Sequence, residues 1–204
     1  MSDEVNKKEE ELRIGVYVCH CGSNIAGVIP PKDVVDFAEK LPGVVRAIDT
    51  MYACADSGQR LIQEDISKYN LNRVVVSACS IRMHEPTFRG CVAKAGLNPF
   101  LMEMANIREQ CTWAHGHDKE GALKKAKDLT ASAVAKVSFL QPLEMINVPV
   151  TKKALVIGGG VAGINASLDL AEQNIPVVLV EKEPTIGGVM AQLNKTFPTM
   201  DCSI

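Results

Sequence analysis

The chain has 204 residues, 47% hydrophobic, 23% charged and only 4% aromatic, with a net charge of −2. That length holds one large or two small domains of ordinary globular composition. Nothing basic enough for nucleic acid, no apolar stretch of the ~18 residues a membrane span needs and no signal-peptide core at the polar start is present, so a cytoplasmic location is expected.

In chain order, residues 1–11 read as a solvated leader. Arg13 to Val18 is a β-branched run, read as a first strand, which leads directly into Cys19-His20-Cys21-Gly22. Pro31 to Lys40 has the apolar spacing of an amphipathic helix, with Val34, Val35, Phe37, Ala38 and Leu41 on one face. Gly43 to Met51 predicts a second strand and Ser57 to Tyr69 a helix carried by Leu61, Ile62 and Ile66. Arg73 to Ala78 is a short apolar run of the kind buried in parallel sheets, and it ends at Cys79. The charged stretch Arg82 to Glu85 reads as a solvated loop, Thr87 to Ala95 as a helix and Pro99 to Met104 as a fourth strand. Trp113 is read as a packing anchor beside a surface loop holding His115 and His117, and Lys119 to Leu140 as a long helix. Strands alternating with helices predict an α/β domain with a parallel sheet over residues 12–140. The two prolines in 141–150 mark a linker, and a second domain occupies 151–204.

Seven cysteines are many for a chain expected in a reducing compartment, where stable disulfides are rare. Cys19 and Cys21 follow strand one, Cys54 follows strand two and Cys79 follows strand three. The carboxyl ends of parallel strands gather along one edge, so four thiols far apart in sequence are able to converge there. Four thiolates suit an iron–sulfur cluster or a structural zinc, and uncoordinated thiols are the third option. The spacing is not that of a ferredoxin. Cys91 is expected to be a small buried hydrophobe inside a helix, and Cys111 is a substitute for one of the four ligands.

The second domain opens on Ala154 to Ala166, an apolar strand that stops at glycines and restarts as a helix. Gly158, Gly160 and Gly163 have the G-x-G-x-x-G spacing, Val161 to Gln173 is helical in pattern, and Pro176 to Val180 is a second strand followed by Glu181. Strand, glycines, helix and an acidic residue about 20 positions on make the dinucleotide-binding fingerprint. The expected roles are a tight turn at Gly158, approach of a pyrophosphate at Gly160 and close helix packing at Gly163, with phosphates on the free N–H groups at the helix start.

These segments together resemble the N-terminal part of the A subunit of heterodisulfide reductase, the flavin-containing iron–sulfur subunit of methanogens and related anaerobes. The resemblance is carried by Val18 to Gly22, Tyr52 to Cys54 with Gly58 and Gln59, Ala78 to Ser80, Arg82 to Phe88 and Glu103 to Arg108. It continues through the glycine loop, Glu181 to Glu183, Ile186 to Gly188 and Thr196 to Cys202, and so runs over residues 12–204. It implies a thioredoxin-reductase-like FAD-binding domain, [4Fe-4S] clusters, and electron bifurcation between a low-potential ferredoxin and the disulfide of coenzymes M and B. Gly158, Gly160, Val161, Ala162 and Gly163 then match the pyrophosphate loop, Glu181 with Lys182 the ribose end, and Gly187 with Gly188 a second glycine pair towards the flavin. Cys19, Cys21, Cys54 and Cys79 match family cysteines. Implied partners are the B and C subunits of heterodisulfide reductase and an electron-input hydrogenase or formate dehydrogenase.

The family's polypeptide is much longer, and only the first βαβ unit of the flavin domain lies within this sequence. The remaining half is therefore expected on a separate chain packed against this one. The competing expectation is a non-catalytic docking or assembly protein with structural zinc or free thiols. An ordinary flavin disulfide reductase is disfavoured, because no C-x-x-C or C-x4-C pair occurs.

Overall fold

The computed structural model describes residues 11–202. The expected leader lies outside them except for its last residue. Strand β1, Ile14–Cys19, is buried at all six positions. Such a strand stays apolar on both faces because helices cover both sides of a parallel sheet. Around it lie β2 (Val44–Thr50), β3 (Arg73–Ala78) and β4 (Met102–Asn106), all parallel, in the order β2-β1-β3-β4.

The side-chain period of two divides β1 between two cores. Ile14, Val16 and Val18 pack on the face carrying α2 (Pro31–Ala38) and α5 (Lys119–Ser138). Tyr17 and Cys19 pack on the face carrying α3 (Asp56–Lys68) and α4 (Ile81–Lys94). The long helix α5 turns Ala122, Ala126, Ala133, Val134 and Val137 inward. These small residues let it lie close enough for Thr130 to share a buried 2.9 Å hydrogen bond with Ser77 of β3. The charged pair on the other face is also satisfied: buried Asp65 takes Arg46 Nε at 2.9 Å and Tyr17 Oη at 3.4 Å. Burial and Asp65 together push the Tyr17 phenol well above its ordinary value.

From β1 the chain moves outward to β2, and from β3 it moves the opposite way to β4. The strand order reverses between β1 and β3, and in open α/β sheets the crevice at the carboxyl ends there is where ligands are bound.

Several elements differ from expectation. Helix α4 begins at Ile81, so Arg82 to Glu85 is helical and not a loop. The charge of Arg82 to Glu85 suggested a loop, but the Ser80 carbonyl already accepts the N–H groups of Met83 and His84, at 3.3 and 3.2 Å. Glu85 and Arg89 form an i,i+4 ion pair across the proline, and Phe88, Cys91 and Val92 anchor the helix in the core. Cys91 is buried in that helix, as expected. A short helix α1 (Ser23–Ala26) and a π-helical turn (Arg108–Thr112) were not anticipated.

The chain divides into two units between Glu144 and Met145. The second contains β5 (Ala154–Ile157), α6 (Val161–Glu172) and β6 (Val177–Val180), a parallel βαβ unit. It has no buried position on α6, and β5 and β6 alternate between half-buried and exposed. Leu155, Ile157, Val178 and Val180 are all exposed. Two strands and one helix have too little area to bury both faces. Among the described residues no helix is long and apolar enough to cross a membrane.

Candidate functional site

The first candidate site lies at the carboxyl edge of the four-stranded sheet. β1 ends on Cys19, the β2–α3 connection carries Cys54 and β3 is followed by Cys79, while Cys21 turns back over the same edge. The backbone turns sharply here, with Cys21 in the left-handed region (φ 50°), a conformation that a side chain adopts only where its surroundings hold it. The neighbouring loop supplies that hold. Tyr52 lies over Gly22, and Gln59 Nε2 donates to the Cys54 carbonyl at 2.8 Å.

The four thiols feel one another electrostatically. Burial pushes the Cys79 thiol up to about 11; Arg108 opposes the rise, while Cys21, Cys19 and Cys54 add to it. Burial likewise raises Cys19, with Cys21 and Cys54 contributing. Hydrogen-bond donors point at the sulfurs. Cys19 Sγ accepts from the N–H of Cys21 at 3.3 Å and of Ala53 at 3.4 Å, and Cys21 Sγ accepts from Arg108 Nη1 at 3.0 Å. N–H donors to sulfur are among the factors that set an iron–sulfur potential.

Among the described residues no three His, Cys, Asp or Glu side chains form a group able to hold a single metal ion. A four-iron cluster spaces its sulfurs around an iron–sulfide core and asks for a wider arrangement than one ion does. Four cysteine thiols carried to one strand edge are the donor type that such a cluster takes.

Cys111 is not brought to this group. It is fully buried on the opposite core face, where its thiol donates to the Ala122 carbonyl at 3.0 Å. The π-helical turn carries it past the edge and under α5, which is why its position after β4 misled. His20 is engaged with Asp49 at 2.6 Å. Trp113 is exposed and not a packing anchor: the Arg108 guanidinium lies 4.6 Å from its ring centre. Sequence reasoning missed Arg108 as a site residue. Its signal was Asn106, an Asx residue just ahead of a polar run, because such side chains cap turns.

The second candidate site belongs to the βαβ unit. Gly158 has φ 104°, which makes the tight turn out of β5. A Cβ on Gly163 would collide with the Gly158 carbonyl, so α6 packs directly onto that turn. Gly160 is different: nothing lies within 4 Å of where its Cβ would be. The space above it is open, and the N–H groups of Val161, Ala162 and Gly163 belong to the first turn of α6, where a helix has no partners of its own for them.

Glu181 closes the loop. Its Oε2 accepts the Gly159 N–H at 2.6 Å, and its Oε1 accepts those of Lys182 and Glu183 at 2.7 and 3.0 Å. The bonds from Glu183 and Gly159 hold its carboxyl below the ordinary value. The carboxylate is thus a fastener of the turn and keeps lone pairs for ribose hydroxyls. Gly187 N donates to the Gly159 carbonyl at 2.7 Å, and Gly160 and Gly187 form a parallel bridge, so the second glycine pair lies against the first. Ile157, Gly158, Glu181, Lys182, Gly188 and Val189 are among the residues lining a cleft of about 560 Å³. An open cleft, a free helix start and a loop without a side chain at Gly160 fit a dinucleotide diphosphate.

Residues 154–200 match the family model described as FAD dependent oxidoreductase. The chain is 65% identical over 196 residues to the second iron–sulfur A subunit of the CoB–CoM heterodisulfide reductase of Methanopyrus kandleri, covering 96% of this chain and 30% of that protein. The match is to the A subunit of heterodisulfide reductase. A second relative, the A subunit of the H(2):CoB-CoM heterodisulfide,ferredoxin reductase of Methanothermobacter marburgensis, is 58% identical over 204 residues, covering 100% of this chain and 31% of that protein. A protein of Archaeoglobus profundus, named as like the A subunit of heterodisulfide reductase, is 57% identical over 195 residues, covering 96% and 28%. The chain spans about 30% of the length of these heterodisulfide reductase relatives. The family model, matched over residues 154–200, supports an FAD-dependent oxidoreductase segment there, and the relatives' names are those of a reductase subunit.

Proposed function

We propose that this chain is the leading part of the FAD- and iron–sulfur-containing electron-transfer subunit of a heterodisulfide reductase complex. In that role it contributes to electron bifurcation between a low-potential ferredoxin and the disulfide of coenzymes M and B. The observation that carries the proposal is the gathering of Cys19, Cys21, Cys54 and Cys79 at the strand-order reversal, with N–H donors aimed at Cys19 and Cys21. These four are the proposed ligands of a [4Fe-4S] cluster. Flavin, when bound, supplies the exchange between electron pairs and single electrons.

The chain's own residues bind and position. The N–H groups of Val161, Ala162 and Gly163 hold a diphosphate over Gly160, and Glu181 meets the ribose. Lys182 stands at that end of the cleft, and Gly187 with Gly188 towards the flavin. The leader is 1–11, the cysteine domain 12–140, the linker 141–150 and the flavin segment 151–204. The exposed faces of β5 and β6 support completion of the flavin domain by the remaining half of the A subunit. Further partners are the B and C subunits and an electron-input hydrogenase or formate dehydrogenase.

The deciding experiment measures iron, acid-labile sulfide, zinc and FAD per chain in the anaerobically purified complex. Replacing Cys19, Cys54 or Cys79 by Ser is expected to remove about four irons, whereas Cys111→Ser leaves them. Stoichiometric zinc with colourless protein would instead make this a docking or assembly protein.

A further inference from the structure

We infer that Arg108 is a positioning residue that raises the electron affinity of the centre held by the four thiols, acting through its bond to Cys21 Sγ. This rests on the iron–sulfur reading above. The guanidinium is fixed from every side. Nη1 donates to Cys21 Sγ at 3.0 Å, Nη2 and Nε donate to Glu109 Oε1 at 2.7 and 3.3 Å, and the group lies 4.6 Å from the Trp113 ring centre. Its side chain is only 15% exposed. Burial works against its charge, but Glu109 and Cys21 outweigh burial and raise its pKa further.

The segment that carries Arg108 is itself built for placement. Asn106, the last residue of β4, accepts with Oδ1 the N–H groups of Arg108 at 3.2 Å and Glu109 at 2.9 Å. The Ile107 N–H donates to the Ala78 carbonyl at 2.9 Å, which sets the turn beside Cys79. At its far end Thr112 Oγ1 donates to the Asn24 carbonyl at 2.9 Å, just beyond Cys21. A π-helical turn is rare and is frequently found at functional sites. An ion pair between adjacent residues such as Arg108 and Glu109 needs none of this scaffolding. The scaffold aims the guanidinium at sulfur.

The electrostatics give a sign. Taking up one electron, with no proton and no bond made or broken, makes a thiolate-held centre more negative by one charge. A fixed cation that is screened little by solvent stabilises the reduced form more than the oxidised one. Without it the midpoint potential falls.

The test uses the anaerobically purified complex, titrated with dithionite and followed by electron paramagnetic resonance. The relevant signal is the one that Cys79→Ser abolishes. Arg108→Gln is expected to lower its midpoint by at least the equivalent of a tenfold change in the reduction equilibrium, about 59 mV for one electron, with iron content unchanged. Arg108→Lys keeps the charge and should recover part of the loss, and Glu109→Gln, which frees the cation from its counter-charge, should raise the midpoint. An unchanged midpoint in Arg108→Gln with iron retained overturns the inference. Loss of iron in Arg108→Gln together with no shift in Glu109→Gln also overturns it, because Arg108 is then structural only. Absence of iron from the unmodified chain is a separate result, which sinks the iron–sulfur reading itself.

Discussion

The two units solve opposite problems. The first sets Cys19 and Cys79 at the ends of β1 and β3, two strands buried at every position. The second shapes its glycine loop with backbone bonds and one carboxylate, while its strands stay half exposed and its helix buries nothing. A site assembled from three distant strand ends needs a finished fold, whereas a phosphate loop forms from one contiguous stretch.

That contrast breaks most readily by separating the units. Residues 11–144 expressed alone should unfold in one cooperative transition, and residues 145–204 alone should show no cooperative melt by circular dichroism. A sharp melt from the second piece would mean its open faces do not matter.

Core substitutions sharpen the comparison next. Val16→Ala, in the fully buried centre of β1, should destabilise by about 2 kcal/mol in urea denaturation. Leu155→Ala, on an exposed face of β5, should change stability by no more than ~0.5 kcal/mol in the isolated chain. A larger loss at Leu155 in the assembled complex would show that the face is covered there.

Within the loop, Gly163→Ala should destabilise the second unit by on the order of 3 kcal/mol in urea denaturation of the assembled complex, because its Cβ has no room against the Gly158 carbonyl. Gly160→Val should leave the circular dichroism spectrum unchanged yet abolish FAD retention on gel filtration. Stoichiometric FAD in that variant would remove Gly160 from the phosphate site.

The smallest expected effect is on pH. The Glu181 carboxyl is held below its ordinary value by the N–H groups of Glu183 and Gly159. Its contribution to the loop is therefore complete above the ordinary glutamate range and is lost as pH falls through the lowered value. Amide exchange at Gly159 should accelerate, relative to a Glu181→Gln control, only on that acid side.

The sequence carried much of this unevenly. The central strands of the first sheet were legible because buried parallel strands are short apolar runs rich in β-branched residues, as Val74 to Val76 is. Helix α4 was misjudged at its start because the charged run Arg82 to Glu85 reads as solvated loop, whereas the carbonyl of Ser80 and the packing of Phe88 carry the helix through it. Cys79 was placed at a strand end from its neighbours alone, but Cys111, with the same kind of position after a strand, faces the other core.

By itself the sequence determined the glycine loop, the acidic residue that fastens it and the alternation of strands and helices, because each depends on neighbours within a few turns of chain. Only the tertiary structure decided which cysteines share an edge and that Arg108 lies against Cys21, 87 positions away. Those relations follow from strand order and from the direction a turn takes over a packed core, which no local spacing encodes.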